Sequence, residues 1–312
     1  MSKSRRDPQK LLERIEWTVI RRLDGLLQGD YRTLFRGFGV DLADLREYQY
    51  GDDVRHIDWN ITARLQTPYV RQFNEDREVT AWFLLDMSPS VDFGSSGVSK
   101  RTLLEEFVSV LSGLLTRHGN RVGAIIFDGE SREVVPARSG RRHTLHLLDR
   151  VLSTPSPDHA PETDLTALLE AGESVIRRRS LLFLISDFIS RPGWSEALGR
   201  LSRRHELLGV RLYDPMELEL PDLGMVYVQD AETGEQLLLD TSDSRFRRRF
   251  EEEAARREAE VRGNLSEAGV DTLELSTEAD LVAAVARFAE LRKARGVAGA
   301  PEGGKSRVVP MA

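Results

Sequence analysis

The chain has 312 residues, a net charge of −7, 40% apolar and 30% charged residues, and no cysteine. That apolar content suffices for the core of one domain of roughly 200–300 residues, and the absence of cysteine excludes disulfides and thiolate metal sites. With no run of about 18 apolar residues and no basic-then-apolar leader, the sequence predicts neither a transmembrane helix nor a signal peptide, and hence a cytoplasmic chain.

Residues 1–36 hold nine Lys or Arg against five Asp or Glu, a local excess of +4 that leaves −11 on the remainder. Leu12, Ile15, Val19, Leu23 and Leu26 recur at helical spacing. They predict a basic amphipathic arm that docks on its own body in preference to a partner. In the following segment, 37–76, Asp52, Asp53, Arg55, Asp58 and Arg64 surround Ile57 and Trp59. Burying Trp59 would draw those charges inward, where they must be paired, so this stretch is predicted to be a structural clamp. Its flanks, 45–50 and 69–75, read as short strands that pack with a later hairpin as a small β-subdomain.

Residues 77–292 alternate strand and helix. Val79 to Leu85 is a buried strand, followed by helix 100–118, strand 121–127, a short edge strand 133–137 and helices 141–152 and 163–178. Strand 181–186, helix 194–203 and strand 206–213 come next. An insertion at about 216–242 carries a hairpin of 225–228 and 235–240. Helix 243–268, strand 271–275 and helix 278–292 complete the series, and the tail 293–312 reads as disordered. This rhythm predicts an α/β fold with a doubly wound, mostly parallel sheet. Strands 79–85 and 181–186 should be neighbours at the topological switch point, where ligands bind beyond the carboxyl ends of the strands.

Three loops at that edge carry oxygen ligands. The first is Asp86-Met-Ser88-Pro-Ser90, the second lies in Pro161-Glu-Thr163-Asp-Leu-Thr166, and the third is Ser186-Asp187. Taken singly, each pattern also makes a turn or caps a helix. Together they suit a hard cation such as Mg²⁺ or Mn²⁺, which takes carboxylate and hydroxyl oxygens and keeps some of its water.

In this order the motifs resemble a von Willebrand factor A domain with a metal-ion-dependent adhesion site. Upstream, the run Leu45 to Arg64, LREYQYGDDVRHIDWNITAR, and Tyr69 to Arg77, YVRQFNEDR, are similar to the segment that defines the bacterial domain of unknown function 58 family. The two signatures span roughly residues 20–292. The resemblance implies that Asp86, Ser88, Ser90, Thr163 and Asp187 are the metal ligands, the hydroxyls binding directly and one or both aspartates through water. Where the wider superfamily often has Gly before the threonine, this chain has Glu162. The resemblance also implies a partner, a MoxR-type AAA+ ATPase, for which the chain would act as an adaptor or co-chaperone.

Hydroxyl ligands leave the charge of the ion poorly compensated, so an open coordination position would seek an acidic side chain of a client or partner protein. The alternative is a Mg²⁺- or Mn²⁺-dependent phosphoesterase, which needs a nucleophile or base and substrate-binding groups. His143 and His146 share a predicted helix but have no acid placed in sequence to complete a ligand set. Neither a G-x-x-x-x-G-K-[ST] loop nor a G-x-G-x-x-G fingerprint occurs. The arginine runs 177–179 and 247–249 lie in helical stretches crowded with Glu and without interleaved aromatics, so they read as solvated faces and predict no nucleic-acid partner. The sequence therefore predicts a non-catalytic, metal-dependent interaction module with no integral membrane segment.

Overall fold

The computed structural model describes residues 7–15, 44–49, 57, 59–72, 80–117, 119–155, 163–229, 236–286 and 308–309. Its centre is a seven-stranded sheet. In chain order the strands are β3 (Thr80–Asp86), β4 (Arg121–Phe127), β5 (Arg132–Arg138), β6 (Leu181–Ser186), β7 (Glu206–Tyr213), β10 (Asp271–Ser276) and β11 (Val308–Val309). They lie in the order β11-β10-β7-β6-β3-β4-β5, and every pairing is parallel except β4 with β5.

Alternation along the central strands separates two apolar layers, because successive side chains of a strand point to opposite faces. From β3, Ala81, Phe83 and Leu85 enter one core with Leu181, Phe183 and Ile185 of β6. Trp82 and Leu84 enter the other with Leu182 and Leu184. The first layer is covered by α1 (Pro8–Ile15), α3 (Lys100–Arg117), α4 (Arg141–Ser153) and a helical segment at 281–286. Covering the second are α5 (Leu165–Val175), α6 (Trp194–Arg204) and α7 (Ser244–Glu267). Phe183 stacks on Phe83 at 5.3 Å between centroids and meets Phe107 edge-on at 6.4 Å, which ties β3, β6 and α3 together. Gly123 of β4 lies beside Trp82, where a Cβ would come within 2.9 Å of the indole. Only glycine leaves room for that ring on the neighbouring strand.

The architecture is thus the predicted α/β, doubly wound, mostly parallel sheet. From β3 the sheet grows one way through β4 and β5 and the other way through β6 and β7, which makes the carboxyl ends of β3 and β6 the switch point. The described part of the basic arm, α1, packs on the body: Leu11 and Leu12 are buried against α3 and α4. Ile15 ends this helix, while Val19, Leu23 and Leu26 lie outside the described residues.

Three expectations are corrected. The strands β1 (Asp44–Glu47) and β2 (Tyr69–Gln72) do pair, antiparallel, but as a sheet of their own. The hairpin of β8 (Met225–Gln229) and β9 (Gln236–Asp240) is a separate two-stranded sheet, so the two do not form one β-subdomain by strand pairing. Trp59 is not buried; it opens α2 (Trp59–Leu65) with 68% of its surface exposed. On that short helix Ile61 and Thr62 take the half-buried positions, while Asp52, Asp53, Arg55 and Asp58 of the expected clamp lie outside the described residues. Finally, the two described residues of the tail, Val308 and Val309, pair in parallel with Thr272 and Leu273, and the remainder of 293–312 lies outside the described residues. Two β-branched residues there cover the otherwise open edge of β10.

Candidate metal-binding crevice

Asp86 is the last residue of β3, and Asp187 follows the last residue of β6. Their strands are hydrogen-bonded neighbours, so a hundred residues of sequence separation collapses to one crevice. Asp86, Ser88, Thr163 and Asp187 are at most 2% exposed and Ser90 is 7% exposed, although they lie at a strand end, in loops or in the short 3-10 turn Pro89–Asp92. Polar groups buried this deeply must be satisfied, and the loops satisfy one another.

In the first loop the Ser88 N–H donates to Asp86 Oδ1 at 3.1 Å, and Ser88 Oγ lies 3.2 Å from Ser90 Oγ. The third loop reaches across: Ser186 Oγ donates to Asp86 Oδ2 at 2.6 Å and accepts from the Phe188 N–H at 2.8 Å. Asp187 Oδ1 accepts from the Ile189 N–H at 3.0 Å. The second loop is held to the third through the Thr163 carbonyl, which accepts from Ser190 Oγ at 3.0 Å and from the Arg191 N–H at 2.9 Å. Two residues on, Leu165 N–H donates to Ser190 Oγ at 3.0 Å, and Asp164 caps α5 through the Thr166 N–H. Glu162 lies outside the described residues. Phe188 has a left-handed backbone with φ of 61°, a conformation that costs a bulky residue on the order of 1–3 kcal/mol and persists only when its surroundings enforce it. Its N–H is held by Ser186 Oγ, and its buried ring packs 5.3 Å from that of Trp194.

Sequence reasoning missed a buried cation in this crevice. Lys100, the first residue of α3, is fully buried, and its Nζ donates to Asp187 Oδ2 at 2.7 Å and to Glu217 Oε1 at 2.6 Å. Burial alone would lower its pKa, but the two carboxylates outweigh burial and hold it above the ordinary lysine value. A signal was available: a lysine in the first turn of a helix opposes the macrodipole and, with no acid in that turn, needs a partner from elsewhere. Glu217 sits in a 3-10 turn, Pro215–Glu217, after β7. Burial pushes it above the usual carboxylate range, with Lys100 opposing and Asp187 adding to the shift.

Asp214, which caps that turn, is the second missed residue. It accepts from the Ser95 N–H at 2.9 Å, from Ser95 Oγ at 2.7 Å and from Thr277 Oγ1 at 2.7 Å, pinning the loop that precedes α3 to the ends of β7 and β10. Burial would raise its pKa, but these donors outweigh burial and hold the carboxyl below the usual range.

The electrostatics of Asp86 differ. Burial and the nearby Asp187 carboxylate push it up to about 6, against the hydrogen bonds from Ser186 and Ser88. Its ionised form lacks a cation of its own. Among the described residues no cluster of three or more His, Cys, Asp or Glu side chains forms, so an ion here would rest on hydroxyls and two carboxylates. That donor set suits Mg²⁺ or Mn²⁺. Each carboxylate oxygen already accepts one hydrogen bond and retains a further lone pair, which suits contact through water.

The fold and the three loops define an α/β domain with an oxygen-lined crevice at the carboxyl edge of its sheet. The chain belongs to the family described as protein of unknown function DUF58, whose model matches residues 44–260. It is 38% identical over 289 residues to an uncharacterized protein of Mycobacterium tuberculosis, covering 92% of this chain and 90% of that one. Among solved structures, it is similar to the conserved hypothetical protein BatB of Bacteroides thetaiotaomicron, with 15% identity, a TM-score of 0.43 and coverage of 69% of this chain and 98% of that chain. A von Willebrand factor type A structure from Catenulispora acidiphila is also similar, at 10% identity and a TM-score of 0.38 over 69% of this chain and 42% of that chain.

Proposed function

We propose that the chain is a metal-dependent protein-interaction module: Asp86, Ser88, Ser90, Thr163 and Asp187 hold Mg²⁺ or Mn²⁺, and the ion receives an acidic side chain from a partner. The observation that carries this reading is the buried pair Asp86 and Asp187 at the switch point, with Asp86 raised to about 6 by burial and its neighbour. A cation beside Asp86 would relieve that penalty. When bound, the ion supplies a hard Lewis-acidic centre for a carboxylate. The chain's own residues do the rest: Ser186 and the Ser88 amide orient Asp86, Lys100 holds Asp187, and Asp214 braces the first loop.

The partner proposed is a MoxR-type AAA+ ATPase, with this chain as its adaptor or co-chaperone, on the strength of the sequence resemblance. Among the described residues no helix is long and apolar enough to cross a membrane, and a cytoplasmic location accords with that partner. Calorimetric titration of Mg²⁺ and Mn²⁺ into the wild type and Asp86→Ala tests the site. Equal heats in the two proteins would refute it. Capture of the ATPase with and without chelator tests the partnership, and turnover of a generic phosphoester that disappears in Asp86→Ala would replace the adaptor reading with a hydrolase.

A further inference from the structure

Nothing in the local structure at the start of α3 calls for a lysine. The first turn of a helix favours acids over bases, and a fully buried ammonium needs carboxylates to compensate its lost hydration. Two are supplied from the ends of two strands: Asp187 follows β6, and Glu217 closes the 3-10 turn after β7. Glu217 is itself fixed, because its Oε2 accepts from the Asp214 N–H at 3.0 Å while its Oε1 accepts from Lys100 Nζ at 2.6 Å. On β7, Arg211 is engaged by Glu258 and Glu274. The cation set against Asp187 is therefore Lys100.

The two aspartates of the crevice are treated unequally. Asp187 Oδ2 accepts from the ammonium and its Oδ1 from the Ile189 N–H, whereas Asp86 accepts from neutral donors, the Ser88 N–H and Ser186 Oγ. A unit positive charge fixed 2.7 Å from one aspartate repels any cation brought between the two, and burial leaves that repulsion poorly screened. A neighbouring cation changes the affinity of a carboxylate for a proton by roughly ten- to a thousandfold. A divalent ion carries twice the charge and responds at least as strongly.

We infer that Lys100 is a resident counter-charge that sets how tightly the crevice holds its ion, with Glu217 as the acid that keeps the ammonium in place and partly offsets it. The inference rests on the ion reading proposed above and deepens it: Lys100 makes the ion exchangeable rather than permanent.

The test is Mn²⁺ binding to the full chain, followed by calorimetry and by the electron paramagnetic resonance signal of free Mn²⁺. Lys100→Gln and Glu217→Gln change the local charge by equal and opposite amounts. Relative to wild type, Lys100→Gln should bind Mn²⁺ at least about tenfold more tightly and Glu217→Gln at least about threefold more weakly. Tb³⁺, with its higher charge, should gain more than Mn²⁺ in the first variant and lose more in the second. A merely structural role for Lys100 would weaken binding in both variants and leave the ratio of the two ions unchanged, and that result overturns the inference. Unchanged affinity in both variants overturns it too. If far-UV circular dichroism shows Lys100→Gln to be unfolded, Glu217→Gln decides alone, since its side chain is 20% exposed and lies outside the proposed ligand set. In that variant, affinity equal to wild type, or an equal loss for both ions, refutes the inference. A wild type that takes up neither Mg²⁺ nor Mn²⁺ refutes the ion reading itself and this inference with it, an outcome distinct from any in which only the variants misbehave.

Discussion

At the scale of single residues the crevice is a balance of buried charges. Two carboxylates, Asp187 and Glu217, share the Lys100 ammonium, and a third, Asp86, stands beside Asp187 outside that contact. Replacing Lys100 by Met leaves buried Asp187 and half-buried Glu217 without their cation, so we expect a loss of about 3–5 kcal/mol, as for other broken buried pairs, read as a lower urea midpoint. Removing a charge from Asp86 has the opposite sign. Its carboxyl rises from 3.8 to about 6 on folding, so the native state binds this proton more tightly than the unfolded state. The associated stability is present below about pH 4 and is lost as pH rises through 6, by an amount on the order of 3 kcal/mol. Glu217, also raised, adds in the same direction, while His143 and His205, both lowered chiefly by burial, act against it near neutrality. The comparison of wild type with Asp86→Asn isolates the one group: without divalent ion, the variant should gain stability relative to wild type between pH 4 and 7. A difference that stays flat across that range would remove Asp86 as the strained charge.

At the scale of elements the first loop is set by close packing rather than by its ligands. A Cβ at Gly94 would lie 2.1 Å from the Val98 carbonyl oxygen and 2.6 Å from Ser99 Cα. The neighbouring Phe93 carbonyl accepts from the Lys100 N–H at 2.9 Å, so displacing this turn displaces the start of α3 and the ammonium it carries. Gly94→Ala should cost about 1–3 kcal/mol through overpacking and weaken ion binding in calorimetry. Gly97→Ala is the control: nothing lies within 4 Å of its Cβ, and its φ of +84° alone predicts a cost of about 1–2 kcal/mol with ion affinity retained. Equal ion affinity in both variants would separate the loop from the site. Much of this layer was legible in the sequence. The continuous apolar runs of β3 and β6 and the apolar spacing of α3 located these three elements to within about one residue of their ends, and the oxygen-bearing residues of the three loops could be named. What the periodicity could not provide was Glu217, because a glutamate in an insertion after β7 carries no pattern, or the exposed face of Trp59, because a seven-residue helix is too short to declare which side is buried.

For the whole molecule, an ion bound in the proposed site would couple binding to folding. At a free concentration of about a hundred times its dissociation constant, Mg²⁺ should stabilise the native chain by about 2.7 kcal/mol, a rise in melting temperature of roughly 5–10 °C for a domain of this size. Scanning calorimetry with and without chelator reads it directly, and the rise should vanish in Asp86→Ala. A wild type indifferent to Mg²⁺ and Mn²⁺ would leave the crevice as a structural network of Lys100 and its acids.

The sequence by itself determined the alternation of strand and helix and hence a doubly wound sheet, because right-handed crossovers allow few other topologies; that β3 is central and that Asp86 and Asp187 meet at the switch point followed only once the strand order was known. Only the tertiary structure decided the charge of the crevice. Lys100 lies 87 residues from Asp187 and 117 from Glu217, and whether a charged side chain faces water or a distant counter-charge depends on how elements approach in space. Local pattern encodes which face of an element is apolar; it does not encode which partner waits on the other side.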